Sequence, residues 1–177
     1  MKGYIGTTVA IIVFVADQVT KWLIVHWMEL KSIGAIDVFP PYLNLRMAWN
    51  RGINFGLFSG RGERSALAPA WIADDPMRWV LIAIAVMISA WVVWWMRSEQ
   101  AGPWARASAG LLVGGAIGNV VDRVLYGAVA DFLNMSCCGI ENPYVFNIAD
   151  ISIFVGAVGL ILLTGKSKPR DADEKAS

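Results

Sequence analysis

The sequence predicts a mainly α membrane protein, a four-transmembrane-helix bundle with a small β-element on its outer face. Three observations lead there. The 177 residues are 56% hydrophobic and only 16% charged, with a mean hydropathy of +0.53, whereas soluble domains are nearer half apolar and about a quarter charged. The apolar residues gather in four runs, each long enough to cross a hydrocarbon layer of about 30 Å at roughly 1.5 Å per residue. Between the first two runs lies a stretch in which apolar and polar residues alternate, the mark of a strand rather than a helix.

The first run, about residues 4–27, resembles a signal peptide as far as Ala16. Its apolar character continues through Trp22, Leu23, Ile24 and Val25 to Trp27 without a convincing small-residue cleavage site, so it is expected to remain as a span. Its segment DQVTK sets Asp17 and Lys21 four residues apart, where they can pair along one helix face. That pair either neutralises itself for insertion or lines a site. Residues 30–75 lie outside the spans. There Leu43, Leu45, Met47 and Trp49 alternate with Asn44, Arg46, Ala48 and Asn50, as in a half-buried strand. Asn50 and Gly52 carry turn chemistry, and INFGLF resumes as a second extended piece, so the β-element covers about residues 38–58. Residues 59–73 read as loop with a helical turn.

Asp74-Asp75-Pro76 is a helix start, with an acidic cap and proline at the first helical position. It opens the second span, about residues 76–96, with Trp79 near one end and Trp91, Trp94 and Trp95 near the other, as an interfacial aromatic belt requires. RSEQAGPW is a turn. The third span covers about residues 105–126 and the fourth about 147–164, completing a single domain over 1–165. The charged tail 166–177 is expected to be disordered. Four spans place both termini on one side, and Lys2, Arg97, Arg106, Lys166, Lys168 and Arg170 assign that side to the cytoplasm. The loop 127–146 then faces outward.

The polar residues of GGAIGNVVDRVLYGAVADF, Gly114 to Phe132, need a reason. A single ionised group at mid-membrane costs about 2.5–3.5 kcal/mol on insertion scales, so such groups are rare unless paired or functional. Asn119, Asp122 and Arg123 share one helix face. Asp131 follows beyond Gly127, and Asp150 opens the next apolar run in FNIAD, so two aspartates bracket one outer loop. Two neighbouring carboxylates share a proton, which lets one activate a water while the other polarises a carbonyl. Asp150, in the first turn of its helix, is the one whose charge the helix dipole favours, leaving the proton to Asp131. Plainer readings stand beside this one. Asn147 and Asp150 resemble a helix cap, Asp131 could be a solvated loop acid, and Asp122-Arg123 could be a structural ion pair.

Composition excludes other classes. A net charge of +1 gives no case for nucleic acid. The adjacent Cys137 and Cys138, with the single histidine His26 far away, do not form a metal site of familiar spacing and read as small apolar fillers. No metal or cofactor is expected. A small proton-coupled membrane transporter or channel subunit is the alternative class, but no repeat is visible and the acids cluster at one surface.

Taken together, DQVTK, NRGINFG, GGAIGNVVDRVLYGAVADF and FNIAD, in this order and within four spans, resemble the bacterial lipoprotein signal peptidases (signal peptidase II) across nearly the whole chain. The resemblance implies an aspartic endopeptidase of the inner membrane that removes the signal peptide from diacylglyceryl-modified prolipoproteins just before the lipidated cysteine. It implies Asp131 and Asp150 as the catalytic dyad. Asn50, Gly52, Asn119, Asp122, Arg123 and Asn147 would line or brace the site, with Asp17 and Lys21 in support. It further implies a β-cradle on the outer face, an outer-face helix near residues 65–73, contact with membrane lipid, and a monomer without cofactor.

Overall fold

The structure, a computed structural model, describes residues 4–52, 75–98, 101–137, 139 and 142–164. The second extended piece INFGLF, the helical turn near 65–73, Asp74, Cys138 and the tail 166–177 lie outside the described residues.

Helix α1 (Tyr4–Trp22) continues into a π-helical turn, Leu23–Trp27. A short helix α2 (Leu30–Ile33) leads into strands β1 (Ala35–Phe39) and β2 (Leu43–Asn50). Then come α3 (Pro76–Ser98), α4 (Pro103–Tyr126), strand β3 (Val129–Met135) and α5 (Ile148–Thr164). Among the described residues, three helices are long and apolar enough to cross a membrane: Tyr4–Trp27, Pro76–Arg97 and Pro103–Tyr126. The fourth expected run is an apolar helix of 17 residues. Helix α3 shows how lipid substitutes for a core: Met87, Ile88, Trp91 and Trp94 are exposed. A continuous apolar surface of this kind is sustainable only against lipid or a partner.

Helix α4 is the centre of the bundle, packing against α1, α3 and α5. Its small residues make this possible. A Cβ at Gly118 would come within 2.5 Å of Asp17 Oδ2, so glycine there lets α1 approach closely enough to bring its carboxylate against α4. Below, Val92, Ala109, Leu112 and Leu160 join α3, α4 and α5 in one apolar cluster. At the start of α3, Asp75 Oδ1 accepts from the amide of Arg78 at 3.2 Å, which is the acidic cap expected from the sequence.

The β-element differs from expectation in its first strand, β1, which begins at Ala35 rather than near residue 38, and in its third. It is a three-stranded antiparallel sheet in the order β1-β2-β3, and its third strand comes from the segment after α4, which reads in sequence as loop. Gly127, at φ +76°, ends α4 and turns the chain into β3. The sheet pairs Ala35 with Arg46, Ala48 with Asp131 and Asn50 with Val129, and β2 carries a bulge between Leu45 and Ala48. That bulge explains why β2 shows no clean in-and-out alternation: one extra residue resets which face each side chain takes. The sheet is seated on the end of α1 by Ile24, Leu30, Leu45 and Phe132.

Candidate active site

Two strands and three helices converge on a buried polar cluster at one end of the bundle. Asp131 stands on β3, not in a solvated loop, and is only 2% exposed. Its partners come from both sides: Asn50 Nδ2 donates to Oδ2 at 3.0 Å, and Asn147 Nδ2 donates to Oδ1 at 2.6 Å. Register puts Asn50 there, because it faces Val129, two residues from Asp131 and on the same side of the sheet. Gly52 completes that turn, its amide donating to Asn50 Oδ1 at 3.0 Å while its φ of +135° favours glycine.

Asp150 sits in the first turn of α5, where it caps the helix and also faces the cluster. Its Oδ2 accepts from the Asn147 amide at 3.3 Å while Asn147 Oδ1 accepts from the Asp150 amide at 2.9 Å, a reciprocal cap. Its Oδ1 remains turned to the cluster, accepting from Asn119 Nδ2 at 2.8 Å. Asn147 reaches Asp131 because backbone bonds between Phe146 and Leu133 pin the chain before α5 to β3. Asn147, fully buried, therefore holds both acids at once.

A second buried layer supports the first. Lys21 Nζ lies 2.7 Å from Asp17 Oδ2 and 2.8 Å from Asp122 Oδ2, and donates to Asn119 Oδ1 at 3.2 Å. The ion pair expected between Asp122 and Arg123 is replaced by this one: Asp122 is satisfied by Lys21, by Gln18 Nε2 at 3.1 Å and by the Ala130 amide at 3.2 Å. Asp17 in turn accepts from the Ala149 amide at 3.0 Å. Asp17, Lys21 and Asp122 are nearly inaccessible, so they brace the site from beneath. Gln18 is a member that sequence reasoning passed over; its signal was adjacency to Asp17 in DQVTK.

Arg123 is placed differently. Among the described residues, its Nη1 donates to the carbonyl of Asn119, on its own helix, at 3.3 Å, and its buried Nε has no hydrogen-bond partner. The guanidinium lies within electrostatic range of Asp150 and Asp131.

Burial, and then the charge of Asp150, push the Asp131 carboxyl up to about 7, against the opposing hydrogen bonds of Asn50 and Asn147 and the charge of Lys21. Between the ordinary value of 3.8 and about 7, the folded protein binds a proton that the unfolded chain has released. Stability therefore falls as pH rises through that window and levels off above it. Melting temperature against pH should show this slope in the wild type and lose most of it in Asp131→Asn.

Among the described residues, no group of three His, Cys, Asp or Glu side chains has metal-binding geometry. Cys137 is disulfide-bonded, which replaces its reading as a small apolar filler.

An apolar helical bundle carrying a buried aspartate and a half-buried one, both held by Asn147, defines the class as a membrane protein with a polar cluster at one end. Comparisons agree on which one. The Signal peptidase (SPase) II family matches residues 9–165. A lipoprotein signal peptidase of Rhodopseudomonas palustris is 40% identical over 160 residues, covering 89% of both chains. One of Staphylococcus aureus is 32% identical over 178 residues, covering 98% of both. A bacterial membrane enzyme solved in meso at 1.9 Å superposes with a TM-score of 0.72 at 28% identity, covering 92% of this chain and 94% of that one. This chain belongs to the signal peptidase II family and is a membrane peptidase.

Proposed function

We propose that the chain cleaves the signal peptide from diacylglyceryl-modified prolipoproteins just before the lipidated cysteine, using Asp131 and Asp150 as its catalytic pair. The observation that carries this is the joint suspension of the two acids from Asn147, with Asp131 poised to hold a proton near neutral pH. Asp150 accepts a proton from the attacking water as its oxygen bonds to the scissile carbonyl carbon. Asp131 gives its proton to the carbonyl oxygen. When the tetrahedral intermediate collapses, the carbon–nitrogen bond breaks, Asp150 protonates the departing amine, and Asp131 recovers its proton. Cleavage should consequently slow as pH rises through about 7, where Asp131 loses that proton.

In this reading α5 is a fourth span, its 17 residues lying at the short end of what crosses a bilayer. Both termini lie in the cytoplasm, and the sheet and both acids sit at the outer face of the bacterial inner membrane as a cradle for the substrate. There a lipidated peptide keeps its acyl chains in the bilayer and its scissile bond at the surface. The protein works as a monomer without a cofactor. Incubating it in detergent with a diacylglyceryl-modified prolipoprotein, with and without EDTA, tests this. The expected product has the mass of the lipidated chain beginning at cysteine in both samples. No cleavage, cleavage elsewhere, or loss of activity in EDTA restored by zinc would each sink the corresponding part of the proposal.

Arg123 is assigned to hold a substrate backbone carbonyl. Because Lys21 already satisfies Asp122, the guanidinium is not needed there, and among the described residues it makes one hydrogen bond, to the Asn119 carbonyl, which leaves donors of its planar fork for a substrate. Arg123→Lys keeps the charge and loses the planar fork. It should melt near the wild-type temperature yet lose roughly 10²-fold in cleavage rate, the scale of a lost positioning contact. A clear drop in melting temperature with the rate per folded molecule intact would show a bracing role instead.

A further inference from the structure

Beneath Asp131 and Asp150 lies a second pair of aspartates, and each of its members holds the backbone beside one of the first. Asp122 Oδ2, on α4, accepts from the amide of Ala130 at 3.2 Å, and Ala130 immediately precedes Asp131 on β3. Asp17 Oδ1, on α1, accepts from the amide of Ala149 at 3.0 Å, and Ala149 immediately precedes Asp150 on α5. Asp17, Asp122, Ala130 and Ala149 are all buried, so water does not compete for these bonds. The lower carboxylates are themselves bridged twice. Lys21 Nζ spans Asp17 Oδ2 at 2.7 Å and Asp122 Oδ2 at 2.8 Å. Gln18 Nε2 spans Asp17 Oδ2 at 3.2 Å and the other oxygen of Asp122, Oδ1, at 3.1 Å, and lies 3.4 Å from the Gly118 carbonyl. One bridge fixes how far apart two carboxylates lie. A second, on the opposite oxygen, stops the Asp122 carboxylate from turning and carrying Oδ2 away from the Ala130 amide.

We propose that Gln18 is a positioning residue for the peptidase reaction: by clamping Asp17 to Asp122 it fixes the separation of Ala149 and Ala130, and through them that of Asp150 and Asp131. The proposal rests on the reading of Asp131 and Asp150 as the catalytic pair. From Gln18 the path to each acid is short, running through one carboxylate, one charge-assisted amide bond and one step of backbone. It is separate from Asn147, which bonds directly to both acids. Neighbouring carboxylates repel whenever both ionise, so a pair suspended from one residue can swing apart about it. The backbone tie removes that freedom. A misplacement of about 1 Å can cost on the order of 10²-fold in rate, so even a fraction of that slack shows in kcat.

The test is Gln18→Met, which keeps the length of the side chain and loses its donor. Gln18→Ser, which leaves room for water in the half-buried position, takes its place should the methionine variant fail to fold. Full-length protein in detergent is assayed on a diacylglyceryl-modified prolipoprotein, with rates counted per folded molecule. kcat should fall about tenfold with KM unchanged, the pattern of an interaction felt in the transition state and not in substrate binding. Isotope labelling of the alanine amides supplies a second readout. The resonances of Ala130 and Ala149 should both move, although the substitution is two hydrogen bonds away from each. A glutamine that only stabilises the bundle would lower the melting temperature and leave both readouts in place. A kcat within about twofold of wild type, or an unmoved resonance at either alanine, would overturn the proposal. If that happened while wild type cleaved and Asp131→Asn did not, the clamp alone would fall. Wild-type protein that did not cleave, or Asp131→Asn that did, would overturn the dyad and the clamp together.

Discussion

Asp131→Asn and Asp150→Asn should each lower cleavage by at least about 10³-fold while the protein still folds and inserts, within the range that acid–base groups contribute. Neither amide can replace the acid it substitutes, because one position must take a proton from water and the other must give one to the carbonyl. The structure also predicts how well each variant folds. Both Asp131 oxygens accept from amide donors, Asn50 and Asn147. An asparagine at 131 must turn its own NH₂ toward one of them, leaving two donors facing each other. Asp150 is in the same position between Asn119 and the Asn147 amide. Asp131→Asn should therefore lose about 1–3 kcal/mol, the cost of one unsatisfied buried group, and Asp150→Asn less, since Asp150 is only half-buried, so both should still be recoverable. Activity is to be read per folded molecule, by product mass, beside the melting temperature of the same sample. Near-normal turnover in either variant would remove the dyad and leave Asp150 as a helix cap.

The second large effect is on stability. Lys21→Met should destabilise the protein by about 3–5 kcal/mol, since removing one partner strands buried charge. Here two carboxylates are stranded, as the ammonium touches Asp17 at 2.7 Å and Asp122 at 2.8 Å. Methionine keeps most of the volume, so the loss measures charge rather than packing. Adding Asp17→Asn should recover part of it by removing one of the two acids, which a double-mutant cycle on melting free energies would detect. If Lys21→Met melted like wild type, the three groups would not share charge as drawn. Activity should fall with it, because Lys21 also donates to Asn119, the residue that holds Asp150.

Much of this molecule is legible from local pattern. Apolar runs and helix-start chemistry located α1, α3, α4 and α5 to within a few residues, because a segment's length, apolarity and caps are properties of neighbouring residues. Alternation marked Leu43 to Asn50 as a strand for the same reason. The polar residues that stand out in lipid-like surroundings, Asp17, Lys21, Asn119, Asp122, Arg123, Asp131, Asn147 and Asp150, were conspicuous because burying them is costly. Their arrangement was not legible. Adjacency offered Asp122 and Arg123 as an ion pair, yet the chain gave Asp122 to Lys21, 101 positions away, through the close approach that Gly118 permits. Residues 129–135 carry little strand signal of their own, and Asp131 reaches Asn50 only because that segment pairs with β2. The amides of Ala130 and Ala149, which hold Asp122 and Asp17, are backbone groups that every residue possesses. Sequence thus determined which chemistry was present and which segments carried it. Tertiary structure decided who partners whom, since long-range pairing depends on helix approach and strand register, which no local pattern encodes.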